Sequence, residues 1–116
     1  MMAETIFSKI IRKEIPADIV FENEHVLAFR DIKPQAPVHI LIIPKVEIPS
    51  VKELSGVEHS KLLGELIDAA NAIAKKEKIS EIGFRLVLNC GPDAGQEVYH
   101  LHMHLLGGRK MKWPPG

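Results

Sequence analysis

One cysteine, one tryptophan and one tyrosine are all that this 116-residue chain carries of those three types. A lone thiol, Cys90, excludes an internal disulfide, which suits a reducing compartment, and a cytoplasmic location is expected. The thiol reads as a small residue on a strand rather than as a nucleophile. Excess charge of either sign is missing too: 15 basic side chains balance 15 acidic ones. That balance excludes a surface built to coat nucleic acid or to lie on an anionic membrane, and leaves room only for a small basic pocket. Long apolar runs are absent. The longest, Ile40 to Ile43, is far too short to cross a bilayer. Met1 to Lys9 include Glu4 and no apolar stretch of signal-peptide length. No repeat, linker or low-complexity segment breaks the sequence, and a single domain over residues 1–116 is expected.

What is present is a set of short apolar runs around one long amphipathic stripe. Ile6, Phe7, Ile10 and Ile11 share a helical face, which predicts a short helix ending before Pro16. Asp18 to Glu22 and Val26 to Ile32 read as strands joined by a turn at Glu22 to Glu24. Asp31 then falls on the Phe29 face, near a strand end. Lys33 to Pro37 is a loop, and Val38 to Ile43 is a β-branched strand ended by Pro44, with His39, Leu41 and Ile43 on one face. Leu62, Leu63, Leu66, Ile67, Ala70, Ile73 and Ala74 form a helical stripe. A helix from Val57 to Lys78 would be about 33 Å long. Ser50 and Ser55, each followed three residues later by a glutamate (Glu53, Glu58), are its candidate caps. Phe84 to Asn89 and Tyr99 to Leu105 read as further strands on either side of a tight loop from Cys90 to Gly95. Segregated helices and hairpin-like connections predict an α+β fold with an antiparallel sheet.

In Tyr99-His100-Leu101-His102-Met103-His104-Leu105, alternation puts the three histidines on one face and Tyr99, Leu101, Met103 and Leu105 on the core side. Three imidazoles in a row suit a site better than a plain sheet face, since each needs partners for two nitrogens and protonated neighbours repel. Two chemistries compete. Metal binding is one, but Cα atoms two residues apart on a strand lie about 6.6–7 Å from each other, so all three ligating one ion is difficult. The other is reaction at phosphorus, with a neutral imidazole as nucleophile and a neighbouring histidine supplying a proton. Asn89, the backbone of the Gly91 to Gln96 loop and Asp31 could serve a phosphate and a ribose diol. Ile6, Phe7, Ile10 and Phe29 could hold a base, although such spacing is ordinary for a core. His25 and His59 read as surface residues.

His100 to Leu106 resembles the His-x-His-x-His-apolar-apolar pattern of the histidine triad family. The likeness continues through Ile6 to Ile11, Phe29 to Ile32, Pro34 to Pro44 and Gly95 to Tyr99, and is greatest to the nucleotide-binding branch of that family. The resemblance implies a fold of about five antiparallel strands with one long and one short helix, the sheet extended across a homodimer. It implies hydrolysis of purine nucleoside phosphoramidates, AMP or GMP joined to an amine, with no required cofactor and with zinc binding at most incidental to catalysis. By matching positions, His102 is the nucleophile, His104 binds phosphate and handles the proton of the leaving amine, His100 orients His102, and His39 completes a four-histidine cluster. Asn89, Gly95 and Gln96 line the phosphate side; Asp31 holds the ribose hydroxyls; Ile6, Phe7, Ile10, Phe29 and Ile32 hold the base. Glu97, Val98 and Trp113 complete the substrate-contacting set.

Two features set this chain apart. Many members of that branch carry serine where Glu97 stands. A carboxylate there would repel phosphate and attract a cationic amine leaving group. The tail, residues 107–116, ends in Trp113-Pro114-Pro115-Gly116, and the resemblance implies that it crosses the dimer and shapes the partner's substrate entrance. Two other functions remain compatible with the residues: cleavage of dinucleoside polyphosphates, and a non-catalytic nucleotide- or zinc-binding module.

Overall fold

Alternation along the strands divides the apolar residues into two sets, and each set meets its own helix. The computed structural model describes residues 4–116, so residues 1–3 of the expected domain lie outside it. Helix α1 spans Ile6–Ile11 and α2 spans Ser60–Lys76. Strands β1 (Ile19–Glu22), β2 (Val26–Arg30), β3 (Val38–Pro44), β4 (Phe84–Val87) and β5 (Met103–Gly107) form one five-stranded sheet in the order β1-β2-β3-β5-β4. Every neighbouring pair is antiparallel. The α+β expectation is met, with one short and one long helix.

On one face, Val26, Ala28, Ile40, Ile42, Met103 and Leu105 pack against Leu66, Ala69, Ala70, Ile73 and Ala74 of α2. On the other, Leu27, Phe29, Leu41 and Ile43 pack against Phe7 and Ile10 of α1. Each fully buried aliphatic side chain here contributes about 1.5–3 kcal/mol. The histidines belong to the α1 face. Thr5 holds α1 in place from its N-terminus through a reciprocal cap with Ser8, and buried Ser8 donates onward to Glu47 at 3.1 Å.

Several expected boundaries move inward. The final strand begins at Met103 rather than Tyr99, so only His104 of the triad lies on it. The cause is Pro44: it has no N–H to offer the ladder, and its carbonyl accepts from His100 Nε2 at 2.8 Å. Leu101 N–H bonds instead to Ile48 O. Alternation nevertheless persists through this unpaired stretch, with Leu101, Met103 and Leu105 all in the α2-side core. Tyr99 does not join them; it is 47% exposed. Strand β2 stops at Arg30 and β4 at Val87, leaving Asp31 and Asn89 just beyond their ends. Helix α2 is shorter than Val57 to Lys78. Its N-cap is His59, without a side-chain cap bond, and it runs out at Glu77, followed by Lys78 at φ +63. Ser50 caps a 3-10 turn at Val51–Glu53, and Ser55 accepts from Glu58 N–H within a turn, so neither serine caps α2.

Leu66 is 2% exposed between α2 and the sheet. Leu66→Ala should lower stability by about 2–5 kcal/mol. Urea denaturation reads this as a lower midpoint at unchanged slope.

Candidate active site

Four imidazoles and one phenyl ring form a continuous row on the α1 face. Phe7 stands edge-on to His102 at 5.1 Å between centroids, and 6.2 Å from His100. His102 and His104 are 5.1 Å apart, and His104 and His39 5.2 Å. Strand β3 supplies His39 and β5 supplies His104, and their antiparallel pairing sets Leu41 opposite His104. His39 and His104 then meet diagonally, with Nε2 and Nδ1 2.9 Å apart.

The hydrogen-bond partners fix where the protons are. A carbonyl can only accept. His102 Nδ1, 2.8 Å from His100 O, therefore carries a hydrogen, and the lone pair of neutral His102 is on Nε2. A backbone N–H can only donate. Gln35 N–H, 3.0 Å from His39 Nδ1, therefore puts the hydrogen of neutral His39 on Nε2, from where it is donated to His104 Nδ1. Neutral His104 is left with Nε2–H. The site thus presents a lone pair on one ring and a donor on the next. The support His100 gives to His102 comes from its backbone carbonyl, while its ring is spent on Pro44.

Burial favours the neutral form of His39, His100 and His104. His104 is pushed down to about 4, first by desolvation, then by His102 and His39, with Asp31 opposing. Desolvation also lowers His39, against the pull of Asp31. It lowers His100 in the same way, against its bond to Pro44 and the charge of Glu47.

The remaining expected residues divide by exposure. Phe7, Ile10 and Phe29 are buried and form a floor, with Phe7 and Phe29 edge-to-face at 5.4 Å. Half-buried Val98 packs on the same cluster. Ile6 and Ile32 are exposed and free to meet a ligand. Asp31 accepts from Lys33 N–H through Oδ1 and places Oδ2 3.5 Å from His39 Nε2. Asn89 is half-buried and Glu97 exposed. The Gly91 to Gln96 loop departs from expectation. Its Gly91, Gly95 and Gln96 N–H groups bond within the loop, and the buried Gln96 amide is spent on Gly91, Pro49 and Val98. Gln96 therefore clamps the loop, and these three N–H groups are not free to bind an anion. Gly91 and Gly95, at φ +86 and +84, give the loop its turn. Trp113 is 81% exposed, with the Arg85 guanidinium 6.0 Å from its ring centre. Sequence reasoning missed Gln35 and Glu47, which have no motif of their own; Gln35 acts through its backbone on His39 nearby, and Glu47 acts on Ser8 from far along the chain.

A cation would not be shared along the triad. The donor atoms that converge are those of Asp31, His39 and His104, all within 4.8 Å of one another. They fit an optional divalent ion such as zinc. Using His39 Nε2 as a ligand would displace the hydrogen it gives to His104, so such an ion is not part of the imidazole chemistry.

An antiparallel sheet with His-x-His-x-His leading into an inner strand defines a histidine-triad protein. Residues 12–111 match the HIT domain, and the chain belongs to that family. It is 59% identical to the purine nucleoside phosphoramidase of Escherichia coli K12 over 111 residues, 96% of this chain and 92% of that one. It is 56% identical to a 14 kDa zinc-binding protein of Zea mays, covering 97% and 88%. Its fold is similar to that of a HIT family hydrolase from Legionella pneumophila at TM-score 0.94 and 51% identity, covering 97% and 100%.

Because His104, His39 and His100 are held below the usual histidine range, the unfolded chain binds more protons than the folded one as pH falls past 6.5. Stability is therefore complete above about pH 6.5 and falls as pH drops toward 4. Thermal melts from pH 7.5 to 4.5 should show this decline, and His104→Asn should flatten it; an unchanged slope would refute the assignment.

Proposed function

We propose that the protein hydrolyses purine nucleoside phosphoramidates, cleaving the P–N bond between a nucleoside monophosphate and an amine. The observation that carries this reading is the fixed pair of ring nitrogens, a lone pair at His102 Nε2 beside a donor at His104 Nε2. Identity to the Escherichia coli phosphoramidase supports the substrate class. His102 Nε2 attacks the α-phosphorus, the P–N bond breaks and a nucleotidyl-histidine forms. His104 Nε2–H binds a phosphate oxygen. The charge of the bound phosphate raises the proton affinity of that imidazole, so it takes up a proton with the substrate and, as the P–N bond breaks, passes its Nε2 proton to the departing amine. Water then attacks the phosphorus and gives a proton back to neutral His104 as the Nε2–P bond breaks, releasing the nucleoside monophosphate and restoring His102. Asp31 addresses the ribose, and exposed Ile6 and Ile32 close over a purine above the Phe7–Phe29 floor.

His102→Ala should lower turnover of an AMP–amine substrate by about three orders of magnitude or more, with or without a chelator. Retention of a tenth of wild-type activity would overturn the assignment. A second reading, a nucleotide- or zinc-binding module without turnover, is favoured by the Asp31–His39–His104 donor set. Zinc in the purified protein together with nucleotide binding and no hydrolysis would select it.

Homodimerisation through a sheet edge and a cytoplasmic location belong to the same proposal. Strands β1 and β4 are the sheet's edges, and an exposed Trp113 beside Arg85 of β4 suits a tail that docks on a partner subunit. Exposed Glu97 would favour basic leaving groups. Glu97→Ser should lower kcat/KM for AMP–lysine about threefold to tenfold relative to an uncharged amine. Equal effects on both would sink that role.

A further inference from the structure

The direction of the His39–His104 bond depends on the N–H of one exposed residue, and the carbonyl of that residue, in the next peptide unit, is held from the chain segment just after β5. Gln35 lies on the surface in the Lys33 to Pro37 loop. Its N–H is the donor that fixes the His39 tautomer. Its carbonyl accepts from Arg109 Nε at 3.2 Å, and its side-chain amide donates to Lys33 O at 3.0 Å. The same segment presses on the loop next door. Gly108 has φ +87, and a Cβ placed there would lie 2.9 Å from Pro37 Cβ. Two successive residues, Gly108 and Arg109, thus bear on the loop whose backbone orients His39.

We propose that Arg109, with Gly108, is a positioning residue that sets the tautomer of His104 through Gln35 and His39. The chemistry follows from lone-pair counting. With Gln35 N–H in place, His39 Nδ1 must accept and its Nε2 must donate. If Gln35, released at its carbonyl, rotates so that its N–H turns toward water, His39 can carry its hydrogen on Nδ1 instead. Its Nε2 lone pair then faces His104 Nδ1, and His104 must move its own hydrogen to Nδ1 to keep the bond. His104 Nε2 becomes a lone pair aimed at the phosphate where a donor stood before. Asp31 Oδ2, 3.5 Å from His39 Nε2, opposes this reversal, so loss of Arg109 yields a mixture rather than a complete switch.

The catalytic consequence rests on the reading of His104 as a phosphate donor; the tautomer itself does not. The test is long-range proton–nitrogen NMR of the histidine rings in the full-length protein, which separates Nδ1–H from Nε2–H forms. Wild type should show His39 and His104 as Nε2–H. Arg109→Ala, at an exposed position that leaves both cores intact, should shift both toward a mixture and lower kcat about fivefold, the scale of one lost hydrogen bond. Arg109→Lys, which keeps the charge but loses the planar donor, should recover only part of either effect. Gly108→Ala should move the same ring signals by displacing Pro37. Ring nitrogens unchanged in both Arg109→Ala and Gly108→Ala would overturn the proposal. A tautomer shift in a protein with no P–N hydrolysis would uphold it and remove the functional reading instead.

Discussion

The bond between His39 Nε2 and His104 Nδ1 gives the site its direction. It is made between two side chains from neighbouring strands, and it can be made only with one polarity, because the far nitrogen of His39 already accepts from a backbone N–H. Its surroundings favour neutrality, with Asp31 alone pulling the other way. Burial lowers His39 and His104, and the neighbouring rings would repel any charge that formed. A neutral, directed row of imidazoles needs a dry floor beneath it, which Phe7, Ile10 and Phe29 supply. That floor needs α1 capped and tied down, which Thr5, Ser8 and Glu47 accomplish. The opposite face of the sheet has a different task. With α2 it holds most of the apolar core and keeps β3 and β5 in register, so stability and chemistry are separated by the thickness of one sheet.

Much of this was legible in the residues. Period-two alternation assigned Leu101, Met103 and Leu105 to one side and the histidines to the other, and the structure keeps that division even where the strand it was expected to form is absent. The α2 stripe was plain because its apolar residues repeat at helical spacing over several turns. What alternation cannot report is pairing. Nothing local in Tyr99 to His102 reveals that the Pro44 carbonyl will be taken by an imidazole, ending the ladder at Met103. The helix ends failed for a similar reason. Ser50 and Ser55 carry good capping spacing and use it in turns of their own. The loop-clamping role of Gln96 was hidden because a glutamine beside a glycine-rich loop looks the same whether its amide faces a ligand or folds back on the loop.

The departures from expectation also redistribute roles. His100 counts as a member of the triad in sequence, yet it serves His102 through its main chain, so a substitution that preserves the backbone path can spare part of its function. The convergent metal donors come from β3, β5 and the end of β2, and only His104 among them belongs to the repeated motif. A cation there competes with a hydrogen already in use, and this places optional zinc binding alongside the imidazole chemistry rather than within it.

The strand order has a consequence for biosynthesis. The histidine-bearing β5 lies between β3 and β4, yet it is the last strand in the chain, and its contact with His39 spans 65 positions. A ribosome-bound chain can assemble the β1-β2-β3 meander and α2 early, but β3 and β4 have no common partner until residues 103–107 have emerged. Formation of the sheet must await that long-range closure, which is costly in loop entropy and slow relative to local helix formation. The nucleophile and its proton partner therefore come into being together with the completed sheet. A prematurely terminated product lacking β5 has an open centre and no competent histidine row, so the active site exists only once β5 has joined the sheet.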